Sequence, residues 1–589
     1  MKAKLVALLV LPSLLLSSCS FLFGVQSTEK EIAVYDIDRL DADNNLSSGL
    51  QTTVRARFVS GQDYIPYLTI GQYASLYDRH LGEGFVSTIE KSSFATIWTI
   101  EKEGEPYFVC IADYFSGEFT VAGSIENTYG ENDDPRDLKA LEYGMETEQE
   151  GKYLSEKSYA TYKFTGYSFT HFNSGREHYY PLGLLDITFS NNSSIYFTYN
   201  YSHIFSTRDV DNYSTLEFTD NGNKFTFDSQ MEANVNDASL PSYLRDYNSN
   251  LFIYLMDNFY GLKDNKGIKS MAQYYKGLGL YSNLFSSDRV ERTWAFSDAL
   301  SILDDNHTIL VSTNGAWDNA GYRASRRYGE GCFNRSELRK ELVGYRNDAY
   351  LSNNATIERD IIYSADNKTA LFSFDSFVFG SSDQVFNDGG TIKDTAKTYD
   401  TFFKLIDVIQ RVKEHGNVEN IIFDVSLNGG GTVGIMMKLL GLMSKDNSSY
   451  LAFYEDTTSI LVTYDTKIDI NNDGVYDTSD CFGDEFNFYI LTSDYSFSCA
   501  NAFPCIAQVK NYAKIIGQKS GGGECAVAIH YLPNSEYVYH SSNLHLGYFD
   551  EQQNVFKGFE SGATPDISVP VGANFYSIEY LNGAIANAQ

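Results

Sequence analysis

The chain predicts an α/β protein preceded by a β-rich N-terminal region, on three observations. Strand-like and helix-like segments alternate past residue 359, period-two aromatic segments fill residues 31–245, and the residues between carry apolar positions three and four apart. With 589 residues, 43% hydrophobic and 15% aromatic against only 10 Pro, the chain can build two to four domains with real cores. The same numbers exclude a disordered chain and a small disulfide scaffold. Acidic residues outnumber basic ones by 77 to 45, a net charge of −32, which repels phosphate backbones and excludes nucleic acid as a partner. Such a surface instead offers oxygen ligands to hard cations.

Lys2 and Lys4 precede an apolar stretch from Leu5 to Leu16, broken only by Pro12 and Ser13. This is the charged start and apolar core of a signal peptide, too short for a membrane span. The run Leu16-Ser17-Ser18-Cys19 resembles a bacterial lipobox, whose cysteine becomes N-terminal and lipid-modified. The expectation is a signal peptide over 1–18, a tether over 19–30 and a protein held at the extracytoplasmic face of the cell membrane by lipid on Cys19 alone. Cleavage removes two basic residues and leaves −34. Six further cysteines remain, at 110, 332, 481, 499, 505 and 525, with no CxxC spacing to support a structural zinc site.

In the region 31–245, segments such as Thr53–Val59 and Ile195–Tyr201 alternate apolar and polar residues and predict strands. The charged stretch from Glu126 to Lys157 predicts an exposed connection with a helical turn or two. His80, His171, His178 and His203 have no ligand spacing and predict packing or surface roles. Residues 246–358 predict a helical subdomain, from LFIYLMDNFYGL and RTWAFSDALSILDD. Residues 359–589 predict the α/β core: strand ALFSFDSFVF, helix YDTFFKLIDVIQRVKEHG, strand NIIFDVS, a glycine loop, helix TVGIMMKLLGLMSK, strand FNFYILTS, a helix and strand AKIIGQ.

Two strand ends carry chemistry. Asp424-Val425-Ser426-Leu427-Asn428-Gly429-Gly430-Gly431 brings three glycines to a strand-to-helix turn, where main-chain N–H groups can approach a ligand. Tyr489 to Phe503 reads as strand, polar turn and helix start, which exposes the Ser498 hydroxyl beside unpaired helix N–H groups. A serine there also suits a simple helix cap.

These blocks resemble the C-terminal processing (tail-specific) serine peptidases, particularly the branch related to the tricorn core, and imply a crotonase/ClpP-like catalytic core. The family's Asp-x-Arg-x-Asn-x-Gly-Gly resembles Asp424–Gly431, with Ser426 at the arginine position. Its Ser-x-Ser-Ala-x-Glu resembles Ser496-Phe497-Ser498-Cys499-Ala500-Asn501, with Asn501 for the glutamate and Pro504 farther along the helix. By this match Ser498 is the nucleophile, and the Gly430 and Cys499 amides form the oxyanion hole. In the serine-lysine branch a lysine would fall at Gly523; Lys519 lies four positions too early. The histidine branch carries Leu-x-Asp-x-His-Thr, matched by Leu303-Asp304-Asp305-Asn306-His307-Thr308, which makes His307 the base. The C-terminal signature Glu-x-x-Gly-x-x-Pro-Asp, one residue short here, selects Glu560 as the orienting carboxylate, with Asp566 and Glu524 behind it.

The resemblance implies a serine endopeptidase acting on peptide or protein substrates through an acyl-enzyme, with no catalytic cofactor. A binding lipoprotein on a degenerate peptidase scaffold, gripping peptide or glycan, is the alternative, and a Cys499 nucleophile the third. The interval from Thr308 to Arg359 is too short for the family's PDZ domain, so none is expected. One further motif lies inside the core. Asp469, Asn471, Asp473, the Val475 carbonyl, Asp477 and Asp480 fall at the ligand positions of a twelve-residue calcium loop, with Gly474 at its sixth, and predict structural Ca2+.

Overall fold

A computed structural model describes residues 25–588 apart from 42, 126–137, 156–157, 191–193, 209–216, 221, 227–239, 313–329 and 534–535. The signal segment and Cys19 lie outside the described residues. The predicted strand at 53–59 is part of Leu50–Val59, which pairs antiparallel along Ser27–Asp36 in a seven-stranded sheet. That at 195–201 narrows to Tyr196–Tyr199. A second, five-stranded sheet follows chain order from Phe85–Lys91 to Ala160–Lys163. Aromatic rings fill the space between the elements. Tyr77 meets Trp98 at 5.6 Å and Phe197 at 5.1 Å, and Trp98 meets Phe189 at 5.6 Å. His80, His171 and His178 are buried, as their packing role requires.

The helices Ser242–Phe259 and Arg289–Ser301 realise the helical subdomain. They do not make a core of their own: Phe58, Trp98, Leu251, Phe296, Leu303 and Val538 belong to one apolar cluster. The boundary at 245/246 therefore marks a change of secondary structure and not of packing.

The catalytic-type core is a six-stranded sheet in the order 362–363, 369–373, 420–424, 487–492, 513–517, 567–568. All neighbours are parallel except the first pair. Helix Thr401–His415 shows why this half was predictable. Phe402, Leu405, Val408, Ile409 and Val412 line its buried face, Asp400 caps its first turn by accepting from the Phe402 amide at 2.8 Å, and Gly416 at φ 75° ends it.

A second sheet is built on Glu536–Asp550, whose length lets it pair with Ile309–Ser312, Cys525–Leu532, Ser449–Glu455 and Val555–Gly558. Its far edge corrects the sequence reading. The charged stretch predicted to be an exposed connection contains the helical turn Lys139–Glu142 and then the strand Met145–Tyr153, which pairs residue for residue with Ile460–Ile468. Glutamates crowd this strand because it is an edge, and edge charge discourages pairing with other chains. The buried Lys438 ammonium donates to the carbonyls of Ala140 and Tyr143, tying the turn to the core. The five described cysteines, 110, 481, 499, 505 and 525, are free thiols. Among the described residues no helix is long and apolar enough to cross a membrane.

Candidate active site

The loops that follow Ser373, Asp424, Thr492 and Gly517 leave the parallel sheet at the carboxyl ends of its strands, where open α/β sheets place their sites. Asp424 is buried there. It accepts from Ser373 Oγ at 2.5 Å and from the Ser426 amide at 2.9 Å, with Arg346 at 3.9 Å. Ser426, at the family's arginine position, instead places its hydroxyl 2.7 Å from that of Tyr576. Arg346 supplies the nearby cation from helix Glu330–Ser352, far away in sequence.

Ser498 stands just before helix Cys499–Val509 with φ 59° and ψ −128°, a conformation ordinarily left to glycine. Its amide donates to the Gly522 carbonyl at 3.0 Å, and its carbonyl accepts from Asn501 and Ala502. The turn leaves the side chain half-buried at the helix start, with the Cys499 amide as the first N–H of the helix. Gly430 lies against it: a Cβ there would come within 2.6 Å of Ser498 Cβ and 3.0 Å of the Cys499 nitrogen. Only glycine fits. The Gly430 amide itself donates to Asn428 Oδ1 at 2.8 Å, so in this structure that half of the expected oxyanion hole is engaged within its own loop.

His307 arrives from the sheet built on Glu536–Asp550, just before strand Ile309–Ser312. Asp305 fixes its loop, accepting from the His307 amide at 3.0 Å, Thr308 Oγ1 at 2.6 Å and Ser541 Oγ at 2.7 Å. The imidazole packs edge-on against Phe497, the neighbour of Ser498, at 4.8 Å and 69°. Burial pushes its pKa down, opposed by the Asp305 charge and a hydrogen bond to the Cys525 main chain. Its Nδ1 is buried with no hydrogen-bond partner.

Glu560 Oε2 accepts the Gly523 and Glu524 amides at 3.0 and 3.1 Å, and Glu524 Oε2 accepts the Glu560 amide at 2.6 Å. Burial raises the Glu560 pKa against the pull of those amides. The structure thus gathers Ser498, Phe497, His307, Cys525 and Glu560 into one neighbourhood, while no hydrogen bond among the described residues joins His307 to Ser498 or to Glu560. Asn501 braces the same floor, donating to the Phe559 carbonyl at 2.9 Å and accepting from Ser520 Oγ at 2.7 Å.

The reserve candidates fall elsewhere. Asp566 accepts the Ile515 amide at 2.7 Å and so pins a strand. The Lys519 charge acts on Asp494 and Cys505. The Cys499 thiol points to the Gly431 carbonyl at 3.0 Å, and burial pushes its pKa up to about 12, so it is no thiolate nucleophile at neutral pH. Phe497, Asn428 and Asn501 were not read from the sequence as site residues; only their positions inside the matched blocks could have pointed to them.

Among the described residues of the loop from Asp469 to Asp480, no three carboxylates bring their oxygens within 4.8 Å of one another. Gly474 takes φ 77° at the sixth position, Asp469 accepts the Asn472 and Gly474 amides, and Asp480 accepts that of Ile470. Asp469 and Asp480 are buried and Asp473 is exposed. An all-oxygen donor set of this kind fits a hard cation.

Residues 386–569 match the family model of peptidase family S41. That match spans about a third of the chain. The matched segment holds Gly430, Ser498 and Glu560, while His307 lies upstream of it. No curated protein sequence matches the chain. Among solved structures, similarity extends to a Parabacteroides merdae ATCC 43184 protein provisionally described as a peptidase, at 15% identity, covering 59% of this chain and 96% of that one with a TM-score of 0.39. Mature CPAF complexed with lactacystin gives 11%, 59%, 98% and 0.36 in the same order. A lipoprotein from Streptococcus agalactiae gives 11%, 58%, 96% and 0.32.

Proposed function

We propose that the protein is a serine endopeptidase anchored by lipid on Cys19 at the extracytoplasmic face of the membrane. The observation that carries this reading is the backbone of Ser498, a non-glycine residue in a glycine conformation at a helix start, with His307 packed against its neighbour. Strain of this kind collects at functional turns, and the same turn serves as a nucleophile elbow in other hydrolase folds.

In the proposed cycle His307 takes the Ser498 proton as Oγ attacks a peptide carbonyl, then gives it to the leaving amine; water hydrolyses the acyl-enzyme by the reverse use of the same base. The Cys499 amide receives the oxyanion, joined by the Gly430 amide once Asn428 releases it. Glu560 steadies the imidazolium through Oε1, the oxygen not taken by the Gly523 and Glu524 amides. The loop from Asp469 to Asp480 is proposed as a structural calcium site, which leaves catalysis to the side chains.

The test is covalent labelling of membranes by a fluorophosphonate probe. Wild type is expected to label, Ser498→Ala and His307→Ala to lose labelling, and Cys19→Ala to label in the soluble fraction. A wild type inert to probe and to peptides would favour a binding lipoprotein on an inactive scaffold. Labelling retained in Ser498→Ala would move the nucleophile elsewhere.

A further inference from the structure

Behind the His307 ring, strand Cys525–Leu532 begins with a group of side chains the proposed mechanism does not use. Cys525 and His545 are directly opposed across the antiparallel ladder, and Glu524 precedes Cys525. All three are buried. Cys525 Sγ lies 3.6 Å from His545 Nδ1, and Glu524 Oε1 lies 2.8 Å from the same nitrogen. On the other side of the ring, Asp456 Oδ2 is 3.5 Å from Nε2. Among the described residues this is the one group of three or more His, Cys, Asp or Glu whose ligand atoms lie within 4.8 Å of one another.

We propose that Glu524, Cys525 and His545 form a site for a thiophilic divalent cation, with Zn2+ as the natural occupant. The donor chemistry selects the ion: thiolate and imidazole favour zinc over calcium or magnesium. The geometry agrees. Donors at about 2.3 Å (sulfur) and about 2.1 Å (nitrogen) from a tetrahedral zinc stand about 3.6 Å apart, the separation found here between Sγ and Nδ1. Glu524 Oε1 need only retreat by roughly half an ångström from Nδ1 to reach its own tetrahedral spacing. Asp456 stands where metal-bound histidines keep a carboxylate, beside the ring nitrogen that does not ligate. Binding forms a sulfur–metal bond and releases the thiol proton to solvent, while solvent or substrate completes the fourth position.

The site is wired to the proposed catalytic groups. Cys525 lies beside the His307 imidazole, and the Glu524 and Glu560 carboxylates each accept the other's amide. An ion here braces the segment on which both lean. The inference stands apart from peptidase activity and would hold on an inactive scaffold.

Titration of the full-length protein with Co2+ tests it. One equivalent is expected to give thiolate-to-cobalt charge-transfer absorption, bleached by Zn2+ and untouched by Ca2+. Cys525→Ser and His545→Gln should lose the band, Asp456→Asn should weaken binding about 10- to 100-fold, and Asp473→Asn, in the calcium loop, should leave it unchanged. Should the Cys525 variant not fold, X-ray absorption at the zinc edge of the wild type decides, with one sulfur expected in the first shell. A folded wild type with no cobalt band would leave His545 an imidazolium between Glu524 and Asp456 and overturn the proposal. A band that survives Cys525→Ser, or a shell without sulfur, would do the same.

Discussion

Ser498 at φ 59° sits where an L-residue costs of order 1–3 kcal/mol, and its hydrogen bonds to the Gly522 carbonyl and from the Asn501 and Ala502 amides over-determine it. The backbone fixes the direction of the Cα–Cβ bond, and with it the side of the turn on which the hydroxyl stands. His307 is tuned by burial. Because burial disfavours the imidazolium, its pKa lies below the ordinary value of 6.5, and the neutral base persists into mildly acidic solution. The acid limb of kcat/KM for a fluorogenic peptide is therefore expected to have its midpoint below 6.5, and Asp305→Asn, which removes the charge opposing the shift, should move it lower still. A midpoint above 6.5, or an upward move in the variant, would contradict this account. At this scale the sequence was legible where a motif is contiguous: Ser498 and His307 each sit inside a short block. Arg346 beside Asp424 was not legible because the contact joins segments far apart in the chain, and Asn428 holding the Gly430 amide was not because it depends on the exact turn of the loop between them.

Elements were legible in proportion to how far their burial is one-sided. Helix Thr401–His415 has a polar face and an apolar face, so its period shows. Helix Leu182–Ser190 is buried on nearly all sides, carries no periodicity and was absorbed into the strand-rich reading of residues 31–245. Strand Met145–Tyr153 failed for the opposite reason: its side chains are almost all exposed and its order comes from the ladder with Ile460–Ile468. The turn from Asp469 to Asp480 was legible because the spacing of its Asp, Asn and Gly residues is local. Its carboxylates Asp469 and Asp480 are buried against loop amides, and a bound cation would add a ligand-linked stabilisation of about 2.7 kcal/mol at a hundredfold excess over Kd. Calcium is accordingly expected to raise the Tm of wild type by several degrees and of Asp473→Ala not at all. A melting curve indifferent to chelator would remove the ion from this loop.

Across the whole molecule the three layers meet on buried imidazoles. His530 lies 3.1 Å from both Ser190 and His540, and His540 Nδ1 lies 3.0 Å from the Ser541 carbonyl; Ser541 in turn donates to Asp305. Burial lowers the His540 pKa to about 4, and that of His530 falls as well. The sign follows: the unfolded chain takes up these protons near pH 6.5 and the folded chain does not, so their share of stability is whole above 6.5 and drains as pH falls toward 4. In chemical denaturation His540→Gln should be less stable than wild type at pH 7. That gap should narrow by up to about 3 kcal/mol at pH 4, at 1.36 kcal/mol per pH unit; a constant gap would refute the assignment. The strand at 145–153 carries a last implication. A gene fragment starting at residue 359 would encode every strand of the parallel sheet beyond 361, yet it would leave Ile460–Ile468 with a raw hydrogen-bonding edge, strip the partners from the Lys438 ammonium and omit His307. The matched segment is not a transplantable cassette. The C-terminal half borrows its outermost strand and the partners of a buried cation from residues before 154, so the two halves stand or fall as one folded body.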